Sequence, residues 1–310
     1  MNPDWKNHPI VADLAHFGLI AFNGEDSLTF LQGQATNDVR QVTCAGQAQF
    51  GSLCTPKGRM LATFLLWHRD GDYFMELPAA LRENIQQHLS KYVLRAKVKI
   101  RDASAELVRL GVAGKGAAEI LNGIFGTLPQ TPYGVVQNER GILIALPGER
   151  YEIVAAADRA SAWRDELRPT CKPVDAAYWD WLAIQAGMPA ILPATQEQFT
   201  PQMANVELLG GVSFTKGCYT GQEVVARTQH LGKVKRRLYL AHIDGDGAPW
   251  PGDELSGAEL GMIVNAQPAP NGGCDVLAVI PTEDAKAGNV RWKNADGPLL
   301  QFHSLPYAVS

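Results

Sequence analysis

The segment Phe214-Thr215-Lys216-Gly217-Cys218-Tyr219-Thr220-Gly221-Gln222-Glu223 concentrates the reactive residue types of this 310-residue chain. Cys218 is bracketed by Gly217 and Gly221, and Thr220 is followed three residues later by Glu223, a capping-box spacing. That spacing predicts a helix starting at Gly221, with unpaired amides and a positive dipole end close to the thiol. Lys216 adds an ammonium. Both influences favour thiolate over thiol, and cysteines in such surroundings fall to a pKa of roughly 3.5 to 7.5. Cys218, Lys216 and Glu223 are therefore the candidate catalytic residues. The competing reading makes Cys218 a small buried filler in a tight turn; a filler has no need of the cation or the cap. Cys44, Cys54, Cys171 and Cys274 lack such surroundings and read as packing residues.

Five scattered cysteines without a C-x-x-C pair predict no disulfide framework and no closed zinc or iron–sulfur site. At 46% hydrophobic residues the chain can build two or three packed domains. No apolar run approaches the ~18 residues of a membrane span, and no basic segment leading into an apolar stretch opens the sequence, so a cytoplasmic address is expected. A net charge of -4 offers nucleic acid no broad attraction. The densest basic cluster is Arg227, Lys233, Lys235, Arg236 and Arg237, with His230 among them. It reads as a solvated surface, or else as a holder of a polyglutamate tail, an RNA phosphate or an acidic partner. Gly111-Val112-Ala113-Gly114-Lys115-Gly116 lacks the spacing of a phosphate loop and reads as a strand-to-helix turn.

The elements that must position these residues alternate. Strands are predicted at Leu19–Phe22, Gln47–Leu53, Met60–Trp67, Tyr73–Leu77 and Lys97–Ile100, with turns at Pro56-Lys57-Gly58 and Asp70-Gly71-Asp72. Asp26 can cap a helix running toward Leu31, and Leu81, Ile85, Leu89 and Tyr92 give Ala79–Val93 a helical period. A second unit of similar style follows, with strands at Leu107–Val112 and near Ile142 and Ile153, and helices at Ala117–Ile124 and Arg159–Leu167. From Arg236 onward, Leu238–Ile243, Leu260–Val264 and Val276–Ile280 predict a small antiparallel barrel. The fold class is α+β: two α+β subdomains, over 1–104 and 105–235, and a C-terminal β-barrel over 236–310.

Lys216-Gly217-Cys218-Tyr219-Thr220-Gly221-Gln222-Glu223 resembles the K-G-C-[FY]-x-G-Q-E motif of YgfZ proteins. Gln198-Phe199-Thr200-Pro201-Gln202, Asn205, Leu209–Phe214, Gln32-Gly33-Gln34, Lys57-Gly58-Arg59 and Leu305-Pro306-Tyr307 extend the likeness over most of the chain. The family is related to the aminomethyltransferase of glycine cleavage, so the resemblance implies a tetrahydrofolate-binding fold. It also implies support of iron–sulfur enzymes, among them enzymes that modify tRNA. Tetrahydrofolate or a derivative is the implied cofactor. A pterin needs flat apolar faces and a polar partner for its amide edge. The resemblance places Phe17 and Trp179 at the family's two aromatic contact positions, Phe17 replacing a tryptophan; the alternative is that both are core aromatics. Gln185 is placed where relatives carry a pterin-gripping glutamate, and an amide there supplies no charge. Gln202, Asn205 and Arg227 complete the implied folate-contacting set.

A folate-dependent iron–sulfur maintenance factor working through Cys218 fits these residues best. An aminomethyltransferase-like enzyme ranks lower, because Ala62-Thr63 stands where the transferases carry adjacent aspartates. A direct tRNA-binding module resting on the basic cluster is the third reading.

Overall fold

The computed structural model describes residues 6–43, 46–232 and 234–309, so Cys44 and Lys233 lie outside the described residues. Two compact units are distinguished, one from Met1–Leu28, Val39–Gln49 and Leu65–Trp179, the other from Thr29–Asp38, Phe50–Phe64 and Asp180–Ser310.

The first strand, Ile10–Asp13 (β1), precedes a five-stranded sheet formed by Phe17–Asn23 (β2), Gln49–Cys54 (β3), Met60–Arg69 (β4), Asp72–Pro78 (β5) and Lys99–Asp102 (β6). Their order is β3-β4-β5-β2-β6, with the helix Ser27–Gln32 (α1) between β2 and β3. Consecutive left-handed residues, Asp70 at φ 52° and Gly71 at φ 89°, make the tight β4–β5 turn that an Asp-Gly pair favours. Helix Ala79–Ser90 (α2) buries Leu81, Ile85 and Leu89 at helical spacing. It stops short of Tyr92, which the same spacing counted as a buried-face residue but which is 40% exposed. Asp26 stands just ahead of α1, and its carboxylate accepts the Lys97 backbone N–H at 2.7 Å.

A six-stranded sheet follows, ordered β11-β1-β7-β10-β9-β8. Its further strands are Leu107–Ala113 (β7), Val135–Asn138 (β8), Gly141–Leu146 (β9), Arg150–Ala156 (β10) and Lys172–Val174 (β11). Strand β1 lies antiparallel to β7 and parallel to β11. Helices Ala117–Phe125 (α3) and Ala160–Leu167 (α4) cover one face, packing Leu121, Phe125, Trp163 and Leu167 on Leu110, Val112, Leu143 and Ile153. Because side chains alternate along a strand, Arg109, Gly111, Arg150 and Glu152 point to the other face.

Helices Ala176–Gln185 (α5) and Gln222–Leu231 (α6) lead into the C-terminal strands. These are Arg236–Ile243 (β12), Glu254–Ser256 (β13), Gly261–Pro268 (β14), Cys274–Pro281 (β15), Arg291–Trp292 (β16) and Leu300–His303 (β17), with the short helix Thr282–Ala287 (α7) after β15. They form one antiparallel sheet, β16-β13-β14-β15-β12-β17, curled into a half-barrel over Ile243, Leu255, Val276, Ile280 and Trp292. The α+β class with an antiparallel C-terminal barrel sheet is thus the observed one. No helix among the described residues is long and apolar enough to cross a membrane.

Candidate functional site

Cys218 sits on an exposed loop immediately before α6, whereas Cys54, Cys171 and Cys274 are buried. Burial pushes the Cys54 thiol up to about 12, only partly offset by a hydrogen bond with Ser52, and it raises Cys171 and Cys274 as well. Among the described cysteines, Cys218 alone meets solvent.

The backbone around Cys218 differs from the predicted capping box. Helix α6 starts at Gln222, and its N-cap is Gly221, left-handed at φ 85° with no side-chain capping hydrogen bond. A Cβ on Gly221 would lie 3.1 Å from the Gly58 Cα and 3.2 Å from the Cys54 Cβ, so only glycine fits against the β3–β4 hairpin. Moving the cap one residue onward takes Glu223 out of the position from which it reaches back; its carboxylate pairs with Arg227 instead, at 2.6 Å. The Thr220 N–H is taken by the Gly33 carbonyl at 3.3 Å. Lys216, expected to act on the sulfur by its charge, directs its hydrogen-bond donors to the backbone. It is 5% exposed, and its ammonium donates to the carbonyls of Gln32, Ala35 and Asn37.

A second constellation gathers where the polar face of the six-stranded sheet meets β2 and β5, and there sequence reading named only the aromatics. Trp179 is buried against Gly111, whose would-be Cβ falls 2.7 Å from the indole, and the Arg150 guanidinium stands 5.2 Å from that ring. Glu152 pairs across the strands with Gly111 and is 1% exposed. Burial, then the neighbouring Glu76 carboxyl, holds Glu152 well above the usual carboxylate range, and burial raises Glu76 too against the pull of Arg109. Two carboxyls side by side in a dry setting keep a proton between them. The Arg109 guanidinium reaches Glu76 at 3.4 Å and the Phe17 carbonyl at 2.8 Å. Phe17 is half-buried and its ring lies 4.2 Å from that of His16. Glu152 Oε1 and Arg109 Nε are buried without a hydrogen-bond partner. Glu76, Arg109 and Glu152 went unrecognised in the sequence because three isolated charges on separate strands carry no motif; a charge in an otherwise apolar strand run was the one available signal.

The remaining predicted residues serve other places. The Gln185 amide donates to Asp275 Oδ2 at 2.9 Å, in a cluster where Trp181 and His242 also bind that carboxylate. Gln202 and Asn205 are fully buried and hold backbone: Gln202 donates to the Val225 carbonyl at 2.7 Å and Asn205 to that of Leu238 at 2.9 Å. The basic cluster divides, since Arg227 faces Glu223, Arg236 faces Glu259, and Arg237 is buried against Glu207. Thr63 Oγ1 accepts the Ile191 N–H at 3.1 Å, a packing role.

This arrangement of sheets is that of the glycine cleavage aminomethyltransferases. The solved aminomethyltransferase T of Bartonella henselae superposes with a TM-score of 0.77 over 97% of this chain and 86% of its own, at 17% identity. The GCVT N-terminal domain family matches residues 4–142. Within that class the chain belongs to the YgfZ family. It is 34% identical over 304 residues to "tRNA-modifying protein YgfZ" of Klebsiella pneumoniae, covering 96% of this chain and 92% of that one. The proteins of the same name from Serratia proteamaculans and Colwellia psychrerythraea are 32% and 30% identical, over 96% of this chain and 92% and 93% of theirs.

Proposed function

We propose that this protein binds tetrahydrofolate or a derivative on the polar face of the six-stranded sheet and supports iron–sulfur enzymes, including enzymes of tRNA modification, through Cys218. The observation that carries the folate reading is the unsatisfied Glu152 Oε1, buried beside Trp179. An orphaned acceptor next to an indole suits the donor edge of a flat heterocycle, and the unpartnered Arg109 Nε suits an acceptor on the same ligand. The residues present therefore suit a pterin: Phe17 and Trp179 would offer it flat apolar faces, Glu152 would accept from it, and Arg109 would donate. A bound reduced folate would supply one-carbon chemistry. For Cys218 the support is its exposure and the family motif around it.

Titration of reduced folates into the wild type, Glu152→Ala and Cys218→Ala, followed by rescue of iron–sulfur enzyme activity in cells lacking the protein, tests both halves. Binding is expected to weaken by one to two orders of magnitude in Glu152→Ala, the ~1–3 kcal/mol of a lost buried polar contact. Cys218→Ala should bind normally and fail to rescue. Full rescue by Cys218→Ala removes the thiol from the function, and absence of binding to the wild type removes the folate.

A further inference from the structure

Lys216 lies two residues from the exposed thiol, yet its side chain runs into the protein. Its ammonium is within 2.7 Å of the Gln32 and Ala35 carbonyl oxygens and 2.8 Å of that of Asn37. An ammonium has three N–H donors, and three carbonyls match them one to one. Gln32 is the last residue of α1, where helix carbonyls lose their intrahelical partners, so a cation there is favourably placed. The Tyr219 ring sits 5.1 Å from Nζ. Four further bonds tie the same two stretches together: Thr36 Oγ1 to the Gly211 carbonyl, Asn37 Nδ2 to that of Gly210, Ser213 N–H to Thr36, and Thr220 N–H to Gly33. Residues 210–220 and 33–37 thus form one stitched pair of segments with the buried ammonium near its middle.

We infer that Lys216 is a positioning residue, which pins the Cys218 loop onto the turn after α1 and serves the thiol through that placement instead of through its charge. The inference rests on the reading of Cys218 as the functional group. It replaces the expectation of an ammonium beside the sulfur with a structural division of labour: the lysine fixes the loop, and the loop presents the cysteine.

The experiment compares wild type, Lys216→Ala and Lys216→Met by hydrogen exchange and by the pH profile of Cys218 alkylation. Exchange in residues 211–220 is expected to speed up roughly tenfold or more in both variants, with β12 and β15 unchanged. In Lys216→Ala, n-propylammonium should restore slow exchange, and tetramethylammonium, which has no N–H to donate, should not. The midpoint of the alkylation profile should stay where it is in the wild type. Unaltered loop exchange, or a midpoint raised by ~1 unit or more as removal of an adjacent charge would cause, overturns the inference. Failure of both variants to fold, with no recovery in propylammonium, overturns it too, since the lysine would then belong to the fold as a whole. A wild-type Cys218 that alkylates no faster than a peptide cysteine counts against the proposed function alone, because the exchange arm still decides the lysine.

Discussion

A Cβ built on Gly221 would stand 2.4 Å from the Thr55 carbonyl oxygen. The contact seats the start of α6 on the β3–β4 turn, and the left-handed φ of 85° makes the position doubly selective for glycine. Gly221→Ala is expected to lower stability by about 1–3 kcal/mol. Gly217 has nothing within 4 Å of its would-be Cβ, so Gly217→Ala should stay within ~0.5 kcal/mol of wild type. Urea unfolding of the two variants checks this, and equal losses would remove the steric account.

Thiol labelling should separate the cysteines by burial. At pH 8, mass-resolved alkylation of the folded protein should modify Cys218 first and leave Cys54 unmodified until denaturant is added, because a thiol held at about 12 is almost wholly protonated there. Equal rates for the two would contradict the buried placement of Cys54.

The Glu76–Glu152 pair makes stability depend on pH with a defined sign. A carboxyl whose folded pKa is raised binds its proton more tightly in the folded state, so its contribution is complete below the unfolded value of about 4.3 and is lost as pH rises through the folded value. Glu152→Gln carries no such proton. Its stability relative to wild type should grow with pH above ~4.3, by up to ~1.4 kcal/mol per pH unit. Unfolding curves at several pH values measure the difference, and one independent of pH would show that Glu152 is ionised in the fold.

Arg237 and Glu207 form a buried pair in which burial raises the Glu207 carboxyl and the guanidinium partly restrains it. Arg237→Met leaves that carboxyl unpaired and should cost ~3–5 kcal/mol. Adding Glu207→Gln should recover most of the loss, since the amide carries no charge to strand. A double-mutant cycle with no coupling would return Arg237 to the solvated basic surface.

The sequence by itself settled what local rules govern. Asp70-Gly71 announced its turn, Leu81, Ile85 and Leu89 gave the buried stripe of α2, and apolar runs between turn-rich stretches gave the C-terminal strands. Lys216–Glu223 carried the family, and its one cysteine is the exposed one among those described. Tertiary structure decided everything that depends on a distant partner. Strand β1 has only four residues and no pattern of its own; β7 and β11 place it. The Thr220–Glu223 spacing met the rule for a cap, but the close approach of Gly221 to Thr55 shifted the helix start. Lys216 adjoins the thiol in sequence, and its ammonium is held by three carbonyls from residues 32–37. Glu76, Arg109 and Glu152 meet only because β7 and β10, paired in one sheet, come against β5 of another. Turns and periods are short-range and written in neighbouring residues, whereas a buried charge finds its counterpart wherever the packed chain brings one.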